Sequence, residues 1–271
     1  IRDSYNAGSY IFTAGKSSVR ENMKYLSAVR KIETGSQIRE LGDYCFCSFF
    51  RMENITMGNA VEWGNGVVKE CCSLKFLGMP EGKEMLPSYF CDGCVQLEHI
   101  SVPHTVTRLW DYVFDKCTAL QEVTLPDDVT DIGRHVFENC SCMTEMILSS
   151  MLKRIGGQVF QECRILEKVV IPDGIDEIVD SMFSGCYTLT EIVIPKSVTT
   201  VSRYSFENCQ CMKRYYFLPD SPPELTTTGT FLGLPKDCKF YVPKGRLDVY
   251  QTAENWSNYA SYMVEMEGDV L

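Results

Sequence analysis

Cysteine thiolates bind metals and react with oxidants, and this chain repeats one cysteine at a constant interval of 23 residues. The repeated residues are Cys71, Cys94, Cys117, Cys140, Cys163, Cys186 and Cys209. One interpretation is a metal or redox array, because stacked neighbours about 5 Å apart fall within the Cα separations of disulfides. However, the side chains of one column point the same way, and seven cysteines do not pair evenly. We therefore interpret the column as buried thiols that pack as small apolar side chains.

The remaining cysteines do not favour a metal site. Cys45 and Cys47 stand two residues apart, as do the pairs that end at Cys142 and Cys211, whereas zinc knuckles use a C-x-x-C spacing. We expect Cys142 and Cys211 to be more exposed than the periodic set.

The other residue types that do chemistry are equally scattered. The three histidines, His99, His104 and His135, fall at different phases of the 23-residue period, so they cannot form a regular ligand set. No Ser–His–Asp order, Gly-rich phosphate loop or paired-carboxylate spacing stands out. The sequence therefore predicts no catalytic, cofactor-binding or metal-binding residues, and no enzyme.

Composition excludes several classes of function. The chain has 271 residues and a net charge of −10, which disfavours nucleic acid as a partner because phosphate binding depends on clustered Lys and Arg. It has no apolar run of about 18 residues, so we expect no membrane insertion. Residues 1–20 lack a charged segment followed by an apolar core, so no signal peptide is recognisable there. Because the chain begins with Ile1, we expect a processed or excised product.

A fixed period of 20 to 50 residues is typical of solenoids, propellers and arrays. Between residues 102 and 217 each unit reads as a strand, a Pro, two polar residues, Val, two polar residues, Ile, four variable residues, then F-x-x-C-x-x-L-x-x-I. One column is aromatic: Phe114, Phe137, Phe160, Phe183 and Phe206. One unit cannot bury its own core, but stacked units with strands about 4.8 Å apart can. We expect Phe137 to fill the interior from a short helical turn.

This unit resembles the BspA-like class of leucine-rich repeats. The closing sequence 241–245, together with Tyr250 and Trp256, is similar to the C-terminal cap of that class. The resemblance covers about residues 23 to 262, and it departs from the commonest leucine-rich repeat by having Asp128 where Asn or Cys is usual. The resemblance implies an α/β leucine-rich repeat solenoid, rich in β-structure, that forms a curved right-handed coil. It also implies a bacterial surface or secreted protein involved in adhesion or protein binding, and it supplies no catalytic residues.

The pattern weakens towards both ends, where a solenoid needs caps. We expect an N-terminal cap and degenerate repeat over 1–33, a solenoid over 34–218, and a capping repeat with a helix over 219–271. Ser18 and Glu21 match a capping box that opens a short helix. Residues 240–243 suggest a last strand, and residues 245–266 an amphipathic helical cover.

Two positions break the regular pattern near the N-terminal end. Trp63 takes the place of the repeated Ile. Phe90 and Cys94 are one residue too far apart for the F-x-x-C motif, so we expect a bulge at Asp92 and Gly93.

The outward positions of each strand are the candidate binding face. From the middle of the chain onward one outward column turns apolar, and the neighbouring outward column is charged. The candidate residues are Ile147, Val170, Val193 and Tyr216 in the apolar column, with Glu145, Lys168, Glu191 and Arg214 in the charged one. Contiguous exposed apolar surface marks interaction sites, although high β-propensity or a covering segment would explain the same residues.

Three hypotheses for function follow. The preferred one is a non-enzymatic scaffold that binds a protein or glycan at a cell surface or in the medium. The second is a structural or receptor-recognition module of a larger assembly, such as an appendage or a phage-tail-like structure. The third is a thiol-based metal or redox protein. The sequence names no ligand, and it is compatible with an oligomer.

Overall fold

The computed structural model describes residues 29–35, 38, 40–58 and 62–268. The helix expected from Ser18 onward, and most of the N-terminal cap expected over 1–33, lie outside these residues. The described chain forms a β-solenoid of about 10 turns. Each turn of the solenoid, here called a coil, contains one strand of three or four residues, one strand of two residues and a six-residue corner turn.

The longer strands form one side of the solenoid, here called the long-strand row. They are β1 (Lys31–Glu33), β3 (Asn54–Thr56), β5 (Phe76–Gly78), β7 (His99–Ser101), β9 (Glu122–Thr124), β11 (Glu145–Ile147), β13 (Lys168–Val170), β15 (Glu191–Ile194), β17 (Arg214–Phe217), β19 (Lys239–Val242) and β20 (Met263–Glu265). All pairings in this row are parallel and in register, so that Ile100 lies beside Val123 and Ile192 beside Tyr215.

The shorter strands form a second side, the short-strand row. They are β2 (Glu40–Leu41), β4 (Glu62–Trp63), β6 (Met85–Leu86), β8 (Arg108–Leu109), β10 (Asp131–Ile132), β12 (Arg154–Ile155), β14 (Glu177–Ile178), β16 (Thr200–Val201) and β18 (Glu224–Leu225). Trp63 pairs with Leu41 in this row, which confirms that it takes the place of the repeated Ile.

The corner turn makes the third side of the coil, and it supplies its own ladder of hydrogen bonds. The N–H groups of His135, Phe137 and Asn139 donate to carbonyls of the next coil at 3.0, 3.0 and 2.8 Å. His135 and Asn139, which flank the buried Phe137, both have left-handed backbone with φ of 58°, a conformation that costs a non-glycine residue about 1 kcal/mol. The helical turns expected at the Phe positions are therefore non-helical turns held by bonds between coils.

The interior contains the two columns that the period predicts. Phe114, Phe137, Phe160 and Phe183 are fully buried, and neighbouring rings stack with centroids 5.6 to 5.7 Å apart. All seven periodic cysteines are buried. Burial of each Phe side chain contributes about 2–3 kcal/mol, so the stacked column is a principal source of stability.

The expected bulge at Asp92 and Gly93 is absent, so that prediction is wrong. Cys91, rather than Phe90, takes the place of the repeated Phe, because its carbonyl accepts the Cys117 thiol as the Phe114 carbonyl accepts the Cys140 thiol. Phe90 is instead one position earlier and contacts the Trp63 ring, with centroids 5.0 Å apart. The 23-residue register is therefore continuous through this coil.

The C-terminal segment covers the end of the solenoid with aromatic side chains. It contains helix α1 (Leu247–Thr252), a 3-10 helix (Trp256–Tyr262) and strand β20, which pairs with β19. The indole N–H of Trp256 donates to the Pro223 carbonyl at 2.7 Å, and the Tyr250 hydroxyl donates to Pro219 at 2.8 Å. Residues 240–243 are thus not the last strand, because the chain returns to the long-strand row at β20.

Candidate binding cleft on the long-strand row

Strand pairing in the long-strand row stops at three places, between β5 and β7, between β9 and β11, and between β13 and β15. A cleft opens at the second of them, between β9 and β11. Val102 N–H donates to Thr124 O at 3.0 Å and joins β7 to β9, and Leu148 N–H donates to Val170 O at 3.4 Å and joins β11 to β13. The equivalent bond from Leu125 to Ile147 is absent, and β9 and β11 belong to separate sheets. The short-strand row stays continuous here, because β10 pairs with both β8 and β12. The coils therefore separate on one side only.

The separation opens a cleft of about 960 Å³. Its walls are the facing edges of β9 and β11 and the turns that follow them, including Pro126 and Ser149. Val123 and Leu125 are half-buried, whereas the equivalent Ile100 and Val102 of the preceding coil are buried. The cleft thus exposes apolar side chains and unpaired main-chain groups together.

The four predicted residues nearest the cleft are exposed. The side chain of Ile147 is 65% exposed and that of Val170 is 42% exposed, and both line the cleft. Glu145 also lines it, and Lys168 lies beside Glu145 in register on β13. Among the described residues neither Glu145 nor Lys168 has an ion-pair partner, so both remain free to contact a ligand.

The other four predicted residues are separate from the cleft and contact one another or the cap. Arg214 forms an ion pair with Glu191 at 2.6 Å. Tyr216 is half-buried and its ring stacks on Tyr241 of β19, with centroids 4.9 Å apart. Val193 is half-buried. The structure therefore divides the predicted face into an open half beside the cleft and a half whose polar and aromatic groups are already paired.

The periodic thiols make a specific hydrogen bond in addition to packing. Cys140 Sγ donates to the Phe114 carbonyl of the preceding coil at 3.2 Å, and Cys163 Sγ donates to Phe137 at 3.1 Å. Burial raises the pKa of Cys140 and Cys163 far above the ordinary thiol value, so the reactive thiolate is disfavoured. These cysteines are placed for structure rather than for metal or redox chemistry.

The remaining candidate ligands stay apart. Cys45 is buried, Cys47 and Cys142 are half-buried, and Cys211 is exposed. Each histidine lies next to a different glutamate: His99 next to Glu122, His104 next to Glu81 and His135 next to Glu138. Within the part of the chain that the structure describes, no group of three or more His, Cys, Asp or Glu side chains could hold a metal ion.

Sequence reasoning did not identify Val123, Leu125 or Met146 as cleft residues. The one local signal was Ser149, which stands where neighbouring units have Pro. Its hydroxyl donates to the Asp127 carbonyl and accepts the Met151 N–H, so it holds the turn at the end of the cleft. Residue type alone does not report the distance between two strands.

Comparisons with known proteins agree with this architecture. The family model for BspA-type leucine-rich repeat regions matches residues 6–94 and 84–213, with 6 copies of the repeat. No curated protein sequence matches the chain. Among the described residues no helix has the length and apolarity that crossing a bilayer requires.

Several solved structures are similar to this chain. A leucine-rich repeat protein from T. pallidum is 21% identical, with a TM-score of 0.52, and the match covers 75% of this chain and 82% of that one. A leucine-rich repeat protein from Bacteroides ovatus is 18% identical with a TM-score of 0.48, covering 97% and 88% of the two chains. A leucine-rich cell surface protein from Faecalibacterium prausnitzii is 16% identical with a TM-score of 0.42, covering 93% and 85%.

The repeat columns, the solenoid and the family match all concern the same residues. The match extends over most of the chain and ends near the last regular cysteine, Cys209. The chain therefore belongs to the BspA-type leucine-rich repeat family.

Proposed function

We propose that this protein is a non-enzymatic scaffold that binds an extended segment of a partner protein in the cleft between β9 and β11. The observation that carries the proposal is the cleft of about 960 Å³ that separates two facing strand edges without hydrogen-bond partners. An extended peptide satisfies such edges through its own N–H and C=O groups, and its alternate side chains contact the surface beside the edge. Ile147 and Val170 would receive apolar side chains of that peptide.

A protein ligand fits this cleft better than a glycan. Free main-chain groups on a strand edge match the repeating N–H and C=O groups of a peptide, whereas a sugar has no such repeat. Glu145 and Lys168 add one unpaired charge of each sign beside the apolar patch, which would fix the direction of a bound peptide. Membership of a repeat family consistent with protein interaction supports the same proposal. On the same family ground we also propose a cell-surface or secreted location.

The first experiment is a selection of binding peptides from a displayed random library, followed by titration of one selected peptide. In the variant that combines Ile147→Asp and Val170→Asp, we expect Kd to rise at least tenfold, because two desolvated apolar contacts are worth about 1.4 kcal/mol or more together. The control is Leu232→Asp, which changes a 53% exposed side chain outside the cleft. Equal losses in both variants would contradict the site.

A second titration separates strand pairing from side-chain contact. The selected peptide is prepared with N-methyl groups at alternate residues, in the two possible phases. We expect both phases to weaken binding relative to the unmethylated peptide, since one set of alternate N–H groups faces β9 and the other set faces β11. A methylated form that keeps the affinity of the unmethylated peptide would overturn pairing with both edges, and thermal unfolding of the Asp variant checks that it folds.

A further inference from the structure

The short-strand row contains a groove that the cleft does not explain. Trp110 follows β8, and its side chain is 46% exposed. The indole N–H lies 3.2 Å from the Met85 sulfur of the preceding coil, so the ring is anchored on that side. An anchored, exposed indole is a flat apolar platform.

Glycine keeps the other side of this platform open. Gly133 and Gly156 take the place of Trp110 in the next two coils, and their N–H groups make the same bond between coils. A Cβ atom at Gly133 would lie 2.6 Å from the Trp110 carbonyl carbon, and one at Gly156 would lie 2.5 Å from the Arg134 nitrogen. No side chain fits at either position, so the groove is a fixed feature of the backbone.

The resulting groove has a volume of about 340 Å³. It extends from Trp110 over the two glycines towards Val179 of the following coil, which is about 14 Å at the spacing of neighbouring strands. Elsewhere in this solenoid a ring is covered by the ring of the next coil, as Tyr112 is covered by His135 at 4.3 Å. Gly133 has no side chain that could cover the indole in this way, and the Asp111 carboxylate reaches the space beside it.

Three arginines, Arg108, Arg134 and Arg154, and two aspartates, Asp111 and Asp131, line the groove, in a chain whose net charge is −10. Arg154 is paired with Asp131, and Arg108 lies 3.7 Å from Glu84. Partial burial of Asp131 acts to raise its pKa. The hydrogen bonds from Thr130 and Arg154 and the charges of Arg154 and Arg108 outweigh this effect, and the pKa of Asp131 lies below its ordinary value. Arg154 and Arg108 therefore already have carboxylate partners.

Arg134 differs from the other two. Its guanidinium reaches only the neutral amide of Gln158, at 3.5 Å, and among the described residues it has no carboxylate partner. Its backbone N–H donates to Asp111 at 2.8 Å, which fixes the main chain beneath it. An exposed guanidinium without an ion-pair partner beside an exposed indole favours a ligand that carries its own carboxylate.

We propose that this groove binds an acidic sugar, with the pyranose ring on the Trp110 indole and the carboxylate on Arg134. The flat floor over Gly133 and Gly156 leaves room for one or two further sugar units. A peptide is disfavoured because β8 and β10 are already paired on both sides, so the floor offers no free strand edge. The groove and the β9–β11 cleft are separate sites with separate ligands.

The test is calorimetric titration with short oligogalacturonates, parallel titration with neutral gluco-oligosaccharides, and titration with a Glu-rich peptide. We expect the acidic sugar to bind, the neutral sugar to bind at least tenfold more weakly, and the peptide not to bind through Trp110. Trp110→Ala and Arg134→Gln should each raise Kd at least tenfold. Tryptophan fluorescence gives a second measurement, since Trp256 is buried in the cap while Trp110 is exposed.

The chain offers matched controls for both substitutions. Arg203 stands three coils after Arg134 at the same phase and pairs with Asp180, so Arg203→Gln should leave the affinity unchanged. Tyr204 is 40% exposed, so Tyr204→Ala controls for loss of an exposed ring. Failure of oligogalacturonate to bind, or equal affinity in Trp110→Ala, overturns the proposal, and so does a Glu-rich peptide whose binding depends on Trp110. None of these results bears on peptide binding at the cleft.

Discussion

At the scale of single residues, the periodic cysteine both donates a hydrogen bond to the preceding coil and fills a small buried space in the corner. The Phe114 carbonyl accepts the Cys117 N–H within its own coil at 3.2 Å and the Cys140 thiol of the next coil at 3.2 Å. Both lone pairs of a buried carbonyl are thereby used, which avoids the cost of leaving buried polar atoms unpaired. A thiol is also small enough for the corner, so the position demands a compact side chain with a donor.

The requirement can be tested at Cys163. Cys163→Ala should lower the free energy of unfolding by about 1–2 kcal/mol, because it removes a donor and leaves a small void. Cys163→Val should cost about 1–3 kcal/mol through overpacking. Urea denaturation measures both, and Cys211→Ala is the control because Cys211 is exposed. If Cys163→Ala were as stable as the wild type, the thiol bond would have no energetic role.

A second test at this scale concerns a buried carboxylate in a corner turn. Asp115 is 1% exposed, Oδ1 has no hydrogen-bond partner, and Lys116 contacts the carboxyl group. Burial raises the pKa of Asp115 above its ordinary value, despite the opposing effect of Lys116. The folded state therefore binds this proton more tightly than the unfolded state, and the group's contribution to stability is lost as pH rises above about 4.

Asp115→Asn should remove the loss of stability that ionisation of the buried carboxyl group causes. Relative to the wild type, the variant should gain stability between pH 4 and pH 7, reaching about 1 kcal/mol at pH 7, because a buried charge is replaced by a neutral group. The measurement is the free energy of unfolding in urea at pH 4, 5.5 and 7. A difference between the two proteins that stays constant with pH would contradict this assignment.

At the scale of elements, up to three ladders and one column of rings hold a coil to the next, because the two strand ladders are each interrupted between some coils. The corner-turn ladder and the Phe column continue through the coil pair where the long-strand row opens, since Lys116 N–H still donates to Glu138 O at 2.9 Å and Phe114 still stacks on Phe137. The opening therefore removes the hydrogen bonds of one ladder only. This explains how a cleft can exist in the middle of a solenoid without dividing it.

The Phe column should transmit cooperativity along the solenoid. Phe160→Ala should cost about 3–5 kcal/mol and uncouple the coils on either side, because a solenoid is stabilised by nearest-neighbour interfaces. Trp63 and Trp256 lie near opposite ends of the described chain, so single-tryptophan variants report each half. We expect the two unfolding midpoints to separate in Phe160→Ala and to coincide in the control Ile165→Ala, which truncates an exposed side chain.

Much of the arrangement of strands and core columns was predictable from the sequence, and the features that were not predictable have physical causes. The Phe and Cys columns and the Trp63 position followed from residue type and spacing, since both report burial directly. The β9–β11 opening and the groove over Gly133 were not predicted, because the separation of two strands and the path of a backbone leave little trace in side-chain type. The misassigned bulge at Asp92 arose from trusting Phe90 as a marker when Cys91 occupied the repeated place.

At the scale of the whole molecule, the aromatic end is the feature that keeps the solenoid finite. Phe217, Phe231, Phe240 and Trp256 are buried against one another, with Phe217 and Trp256 rings 4.9 Å apart in an edge-on arrangement. Without this cluster the last regular coil would present Phe206 and the edge of β17 to solvent. Exposed strand edges and apolar patches promote association.

Removal of residues 219–271 should therefore cause self-association. We expect light scattering coupled to size-exclusion chromatography to give a larger mass for the truncated chain than for the complete one under the same conditions. Adding Phe217→Glu to the truncated chain should reduce the assembly, because it places a charge on the new edge. A truncated chain with unchanged mass and stability would show that this segment does not act as a cap.

The constant interval between bonded coils also has a genetic consequence. Side-chain and main-chain partners recur 23 residues apart, as between Arg134 and Asp111 or Arg154 and Asp131, whichever residue is chosen as the start of the coil. An in-frame duplication or loss of 23 codons in the regular region would therefore restore the main-chain partners with the equivalent residues of another coil. Unequal crossing-over within the gene could thus lengthen or shorten the protein while keeping the ladders between coils, and an event outside the coils that form the cleft would shift the cleft relative to the ends while leaving its walls intact.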